Sequence, residues 1–514
     1  MRSAMVAYGL GFLALSGCAS APGYRSSAVR PPASFRGTTD SGGTGPAPYI
    51  STAPGPEGPH SVTPSPEGPH PVTPSPEGPH PLTPSPVGRG GTKDEPAVST
   101  DYWDQLGDTT LSRLVGEVQR ANLDVRAARA RVSAARSDRV RSALELTPAT
   151  TVSAGYARQR LSSASFPGAS GVFPDQSVWN AGVDASWDLD VFGRIRHTIQ
   201  AQGALVGVAQ EELRDVQVTF TAELARAYFE LRGAQEQLLV ARQNADNQRS
   251  TFELTRQRLD AGRGSAFDTE RAQAQLSLTL ASIPAREAQV AAAQYRIGTL
   301  VGRSPSEVAG EFQQTKQLPP LPDVTSIGAP EAVVRHRPDV AAAERLAAVQ
   351  GALVGAAKAS YLPRLTIGAS AGYAAPEFHA VGNQGTLRYA VGPVLTWPAL
   401  NLGRVKAEVD AAQAREDDAR AQYSRVVLAA LEDMETSLAR YRAARLQVEQ
   451  LQEASAASER AAELARLRFR EGVTDFLQVL DAERTELEAQ DRLAQGRIDA
   501  ATAYVALYKA IGGR

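Results

Sequence analysis

A single cysteine, Cys18, stands in 514 residues, so no disulfide framework can form within the chain and no cysteine-based zinc site or iron–sulfur cluster can be built. Aromatic residues make up only 6%, and Ala, Arg, Gln, Leu and Glu dominate the second half. That composition suits long helices better than a compact enzyme. An excess of one charge is also missing. The 54 basic residues stand against 56 acidic ones, which leaves no basic surplus for nucleic acid and no acidic surplus for a cationic partner. No apolar run approaches the roughly 20 residues of a membrane-crossing helix, so no such helix is expected. A Gly-rich phosphate loop, a nucleophile elbow and a His-Glu-x-x-His pattern are absent too. His197, His336 and His379 lie scattered without ligand spacing. Asp481 and Glu483 are two apart, on different helical faces, and form no acid/base dyad. This is not the sequence of an enzyme.

What is present begins at the N-terminus. Arg2 precedes an apolar run from Ala4 to Leu15, closed by Ser16-Gly17-Cys18. A basic start, a short apolar stretch and small residues at its end read as an export signal over residues 1–17. The Leu-Ser-Gly-Cys string resembles the lipobox of bacterial lipoproteins, in which the cysteine becomes the lipidated first residue. Covalent lipid on Cys18 is thus the one attached group expected, with no other cofactor.

Residues 18–100 are rich in Pro, Gly, Ser and Thr, and Pro56-Glu57-Gly58-Pro59-His60 recurs at Pro66–His70 and Pro76–His80. Proline at this density favours extended polyproline II, so the segment reads as a semi-rigid linker. His60, His70 and His80 lack a neighbouring carboxylate or cysteine cluster, and repetition of the linker unit accounts for them.

The body of the chain matches itself. Trp187-Asp188-Leu189-Asp190-Val191-Phe192-Gly193-Arg194 aligns with Trp397-Pro398-Ala399-Leu400-Asn401-Leu402-Gly403-Arg404 at an offset of 210. The same offset pairs Gly262 with Gly472, Phe267 with Leu477, and Gly302 with Gly512. Upstream, Asp124-Val125 pairs with Asp339-Val340 at an offset of 215. Two tandem copies follow, 101–302 and 331–514, joined by a Pro-rich connector over 303–330.

Each copy carries one plan: a helix (about 108–144 and 330–360), a strand pair (147–190 and 362–397), a long helix, a turn and a returning helix. Trp179, Ala181, Val183, Ala185, Trp187 and Leu189 alternate with polar residues, as do Leu365, Ile367, Ala369, Ala371 and Tyr373. Period-2 alternation over about 9–11 residues, with Trp and Tyr near the ends, suits a transmembrane barrel. Four such strands are too few to close a barrel, and open edges are not tolerated in lipid. Several copies must share one. Strand arithmetic alone leaves dimer and trimer open.

Proline is absent between Pro174 and Pro284 and again after Pro398. Phe220, Leu224, Ala227, Leu231, Ala234 and Leu238 step by four and three, as do Val427, Leu431, Met434, Leu438 and Tyr441. These are heptad seams. The spans Gly193–Gly262 and Gly403–Gly472 are long enough for helices of about 100 Å. A barrel at one end and helix hairpins at the other describe a channel-tunnel.

Four strings carry a family resemblance. They are Tyr102-Trp103-Asp104-Gln105-Leu106-Gly107-Asp108 with Leu111, the Trp187–Arg194 segment, Arg337-Pro338-Asp339-Val340 with Glu344, and Tyr508-Lys509-Ala510-Ile511-Gly512-Gly513. Together they resemble the TolC-like outer membrane factors, in their NodT-type lipoprotein branch. The resemblance implies an α+β membrane channel-tunnel, a homotrimer with a shared twelve-stranded outer-membrane barrel and a periplasmic tunnel of α-helical hairpins. It also implies a periplasmic adaptor and an inner-membrane RND transporter as partners, with substrates passing outward passively in efflux. Ala19 after the cysteine favours sorting to the outer membrane. A structural lipoprotein tether is the competing class; amphipathic strands of membrane length would be idle in it. Drugs, metal ions and secreted protein all remain open as cargo.

The site expectations follow. Gly262, Gly264 and Phe267 in the first turn, and Gly472, Asp475 and Phe476 in the second, are the tips expected to meet the adaptor. Leu477, Asp481 and Arg484 share one helical face just after the second turn. In the resembling channels this stretch lines the closed periplasmic end. Asp481 is expected to pair with Arg271 of a neighbouring hairpin, or with Arg484 close by, and so latch the tunnel shut.

Overall fold

The computed structural model describes residues 101–162, 173–304, 307–308, 310–312, 317–323 and 329–513. The export segment, Cys18, the proline repeat and the loop at Phe166-Pro167-Gly168 lie outside them.

In chain order the elements are α1 (Asp101–Asp104), α2 (Thr109–Ala121), α3 (Leu123–Leu144), β1 (Ala149–Gln159), β2 (Gln176–Leu189), α4 (Arg194–Asp260) and α5 (Ala266–Leu300). There follow α6 (Pro330–His336), α7 (Pro338–Ala359), β3 (Arg364–Ala375), β4 (Leu387–Thr396), α8 (Leu402–Arg470) and α9 (Phe476–Ala510). The two long helices run 67 and 69 residues, about 100 Å each at 1.5 Å per residue. Their returning partners α5 and α9 are 35 residues each.

Three helix expectations need correction. The helix expected over 108–144 is broken at Asn122, whose ψ of 134° is extended and whose side chain caps α3 by accepting from the amides of Asp124 and Val125. The helix expected over 330–360 is broken at Arg337, because the following Pro338 excludes its predecessor from the helical region. The third concerns membrane helices. α7, with 22 residues and a mean hydropathy of 1.2 over an 18-residue stretch, is long and apolar enough to cross a membrane by length and composition. Small residues set that value. The helix is rich in Ala, Val and Gly, and it packs Val349 and Ala352 against Ala201 of α4.

The core lies midway along the long helices. Leu224, Ala227 and Leu231 of the seam expected on α4 and Val427, Met434, Leu438 and Tyr441 of the seam expected on α8 belong to it, with Val218, Tyr228 and Phe229 of α4 beside them. The end of α9 contributes Tyr504, Val505, Leu507 and Tyr508. Tyr102 and Trp103 of α1 enter this core against Tyr504 and Tyr508, with the Tyr102 and Tyr504 rings stacked 4.7 Å apart. The Tyr102 hydroxyl donates to the Tyr504 carbonyl at 3.1 Å. Asp108 closes the motif by capping α2 and accepting from the Tyr228 hydroxyl.

Below this belt α4 pairs with α5 and α8 with α9, while α9 also packs along α4. Above it α3 and α7 take over beside α4, and α7 also packs on α8. The strands stand at the upper end in one antiparallel sheet ordered β1-β2-β3-β4.

Candidate channel wall and helical tip

Register gives the sheet two unlike faces. Val152, Val183, Ala371 and Tyr389 lie side by side across the four strands, as do Thr150, Ala185, Ala369 and Val391 in the next row of that face. Val152 is 80% exposed and Tyr389 78%, so an apolar face meets solvent in the single chain. The opposite face carries rows such as Ser153, Gly182, Gly372 and Arg388, and Thr151, Asp184, Ser370 and Ala390. One face is built for lipid and the other for water. β1 and β4 each have one edge without a strand partner among the described residues.

Aromatic side chains mark both ends of the apolar face. Near one end the Tyr156 and Trp179 rings are 4.6 Å apart, and Phe378 meets Trp179 edge-on at 5.2 Å. At the other end Trp187 donates its indole N–H to the Leu146 carbonyl at 2.8 Å, and Trp397 donates to the Tyr361 carbonyl at 3.0 Å. An indole with an apolar body and one donor suits a membrane–water boundary.

The helical tip is set by backbone geometry. Gly262 and Gly472 have φ of 66° and 76°, a left-handed conformation that glycine adopts without steric cost. Each ends its helix in a Schellman arrangement: Arg263 N–H to the Arg258 carbonyl at 2.8 Å, and Val473 N–H to the Arg468 carbonyl at 2.9 Å. Gly264 passes so close to α4 that a Cβ there would lie 2.8 Å from the Leu259 nitrogen. Ser265 caps α5, and Asp475 caps α9 by accepting from the Gln478 amide at 3.2 Å. Phe267 is 65% exposed.

Phe476 departs from expectation. It is 3% exposed and packs on Phe469, Val479 and Ala272, with ring centroids 5.8 Å apart between the two phenylalanines. It is the hairpin's core, not contact surface. The reason is its place at the first position of α9, facing back into its own hairpin.

Leu477, 53% exposed, and the exposed Asp481 and Arg484 stand on the uncovered face of α9. Within the chain the expected pairings are not made. Arg484 engages Glu488 at 3.1 Å, one turn away on the other side from Asp481. Arg271 lies over the Phe267 ring of its own helix at 5.3 Å. Asp481 has no ion pair within the chain among the described residues. Glu483, two residues on, is buried, so the two carboxylates do point apart.

Sequence reasoning missed two features here. Arg258 of α4 reaches across to the carboxyl end of α8, where it donates to the carbonyls of Phe469 and Arg470 (the latter at 3.2 Å) and covers the Phe469 ring at 4.1 Å. A cation at a helix carboxyl end is favourable, so this arginine clamps the two hairpins together. The second is a buried ionic group. Arg466 pairs with Glu483 at 3.0 Å and with Glu486, and the Thr251 hydroxyl donates to Glu483 at 2.8 Å. Burial, opposed by Arg466, pushes the Glu486 carboxyl above its ordinary range. In the sequence these residues look like any charged helix face; no periodicity separates a buried charge from a solvated one.

A four-stranded sheet with one apolar face, standing on helices of about 100 Å, is the build of an outer-membrane channel protein. The comparisons agree. Residues 114–303 and 329–513 match the family described as outer membrane efflux protein. The structure is similar to the outer-membrane channel OprN, with a TM-score of 0.75 and 37% identity, over 82% of this chain and 94% of that one. Among curated relatives, the pyoverdine export outer membrane protein OpmQ of Pseudomonas aeruginosa is 28% identical over 415 residues, 80% of this chain and 87% of its own length. The probable outer membrane lipoprotein SilC of Salmonella typhimurium is 26% identical over 412 residues, 79% and 86% of the two. The chain belongs to the outer membrane efflux protein family, and its place is the outer membrane.

Proposed function

We propose that three copies of this chain form one channel-tunnel, the outer-membrane exit of a tripartite RND-type efflux system. The observation that carries the reading is the sheet: an apolar face, and two edges with no strand partner among the described residues. Every backbone polar group in lipid needs a partner, and four strands cannot curl into a barrel. Three sheets edge to edge give twelve strands, and the helices below continue as the tunnel. The chain is two tandem copies, 101–302 and 331–514, with 303–330 connecting them and 18–100 as linker. The paired helix lengths, 67 with 69 and 35 with 35, support this. The channel conducts passively and catalyses nothing. A periplasmic adaptor and an inner-membrane transporter supply cargo and energy.

Cys18 is the lipid-bearing mature N-terminus, supported by the Leu15-Ser16-Gly17-Cys18 string and by the lipoprotein relative. Intact mass would show a triacylated Cys18 in the wild type; an unmodified cysteine would refute it. The exposed turns Gly262–Phe267 and Gly472–Asp475 meet the adaptor, and Leu477 and Asp481 narrow the bore above them. Leu477 acts by dewetting, as apolar constrictions do.

The overall reading is tested by purification from outer membranes. Trimers by native mass, conducting ions in planar bilayers, are the expected result. A monomer without conductance would return the chain to the class of tethers.

A further inference from the structure

Glu483 and Glu486 of α9 are buried and share one guanidinium, that of Arg466 on α8. Two carboxylates against one cation leave a negative charge without a counterion in a site shut off from water. A buried acid in that position takes up a proton at lower cost than it keeps its charge. The elements packed against the pair supply no further cation. α8 adds only another acid, the exposed Glu459, and the buried polar residues of α4 along this stretch are Asn244, Gln248, Thr251 and Thr255, none of them titratable.

Gln248 is the second part of the site. Asn244 donates to Gln490 at 2.8 Å and Thr251 donates to Glu483 at 2.8 Å, a register that sets Gln248 opposite Glu486. Gln248 is 3% exposed, and neither its amide nitrogen nor its carbonyl oxygen has a hydrogen-bond partner. An ionised Glu486 can only accept, which leaves that carbonyl oxygen unpaired. A neutral acid both donates and accepts, so it and a primary amide satisfy each other through two hydrogen bonds. A cavity of about 650 Å³ lined by Thr251, Arg466, Phe469 and Val479 opens beside the cluster and gives bulk water access to it. At the offset of 210 the first copy has Gln273 and Leu276 in place of Glu483 and Glu486. The same hairpin is built there without a carboxylate at either position, so the fold does not require the pair.

We propose that Glu486, set between Arg466 and Gln248, is a proton-binding site that tightens the joint between the two hairpins of one chain as its surroundings become acidic. A proton from water adds to a carboxylate oxygen of Glu486, the cluster becomes neutral, and the new O–H donates to the Gln248 carbonyl oxygen. Burial pushes the Glu486 carboxyl above its ordinary range, against the pull of Arg466. The folded joint therefore binds the proton more tightly than the unfolded chain does. Its contribution is complete below the ordinary glutamate value of about 4.3 and is lost as pH rises through the raised one. The site lies within a single chain and holds whatever the number of copies in the channel.

Infrared difference spectra of the purified full-length protein, taken across pH, test the proton directly. The expected result is a carboxylic acid C=O band that persists above about pH 5.5, beyond the range of an exposed glutamate, and that is missing in Glu486→Gln. In Gln248→Leu the band should move to higher wavenumber, since the acid loses its amide donor. Hydrogen exchange over 244–251 and 483–490, read by mass spectrometry, tests the joint. Protection there should fall several-fold more from acid to neutral pH in the wild type than in Glu486→Gln at the same pH values. An acid band that is gone by about pH 5.5, or one that survives in Glu486→Gln, would overturn the site. An unmoved band in Gln248→Leu would overturn the pairing with the amide, and equal pH dependence of protection in wild type and Glu486→Gln would overturn the effect on the joint.

Discussion

The Arg337 guanidinium donates a hydrogen bond to the carbonyl oxygen of Ala510 over 3.1 Å. It thereby ties the end of α9 to the start of α7. In the first half the Asn122 side-chain amide donates to the Leu300 carbonyl at 2.9 Å, tying the end of α5 to the start of α3. Each unbroken long helix is thus flanked by two shorter ones set end to end. These junctions fall at the level of the aromatic core.

Arg337 is 8% exposed and also holds Asp339 through two bonds of 3.0 and 2.7 Å and Asp433 at 3.3 Å. Arg337→Ala leaves Asp339 and the helix-end carbonyl short of a donor, and should cost about 2–3 kcal/mol. Asn122→Ala loses one cap and one tie, about 1–2 kcal/mol. Thermal unfolding of both variants in detergent checks the order; a larger loss for Asn122→Ala would contradict it.

Burial pushes the Tyr504 and Tyr508 hydroxyls up to about 12 and Tyr102 higher still. An unfolded tyrosine ionises near 10, so the native state holds these protons more tightly. Their contribution is complete below pH 10 and is lost as pH rises from 10 to 12. Denaturant melts across that range should show falling stability, with a shallower fall in Tyr508→Phe. Equal slopes in the two proteins would count against this cause.

The exposed Gly472 turn should tolerate bulk in folding but not in docking. Gly472→Trp must place a side chain at φ 76°, at a cost of about 1 kcal/mol confined to the turn. Trimers should assemble at wild-type levels while drug resistance falls in a strain lacking its own channel. Unchanged resistance at equal protein would show that the turn is not the adaptor's contact.

Removing the constriction proposed at Leu477 and Asp481 should raise conductance. Leu477→Ser and Asp481→Ala trimers are expected to pass more current than wild type in planar bilayers, Leu477→Ser the more. Arg484→Ala should change little, because Arg484 is held by Glu488 within its own helix at 3.1 Å. If neither Leu477→Ser nor Asp481→Ala conducts more, the constriction lies elsewhere.

Much of this architecture is legible without coordinates. Alternation from Trp179 to Leu189 marks one strand, the heptad steps from Phe220 and from Val427 mark the long helices, and Gly262 and Gly472 mark their ends. Each is a local property, written in a period of two, in a period near three and a half, or in the conformational freedom of one residue. The break at Asn122 was hidden because asparagine in a helical run reads as a tolerated polar residue until its side chain is seen bonding the next two amides. Phe476 was misplaced for a related reason: an aromatic beside a turn is surface or core according to which helix lies behind it.

The sequence by itself determined the strands, the long helices and their turns, the order of these and the sidedness of the sheet, since each follows from spacing along one chain. The tertiary structure decided which charges are buried. Glu483 lies under Arg466 and Thr251, while Asp481, two residues earlier, faces outward. It also decided that β2 pairs with β3 to join the two halves, and that Arg258 reaches the far end of α8. These depend on distances between residues far apart in the chain, and a pattern of hydrophobicity carries no record of which helix comes to stand beside which.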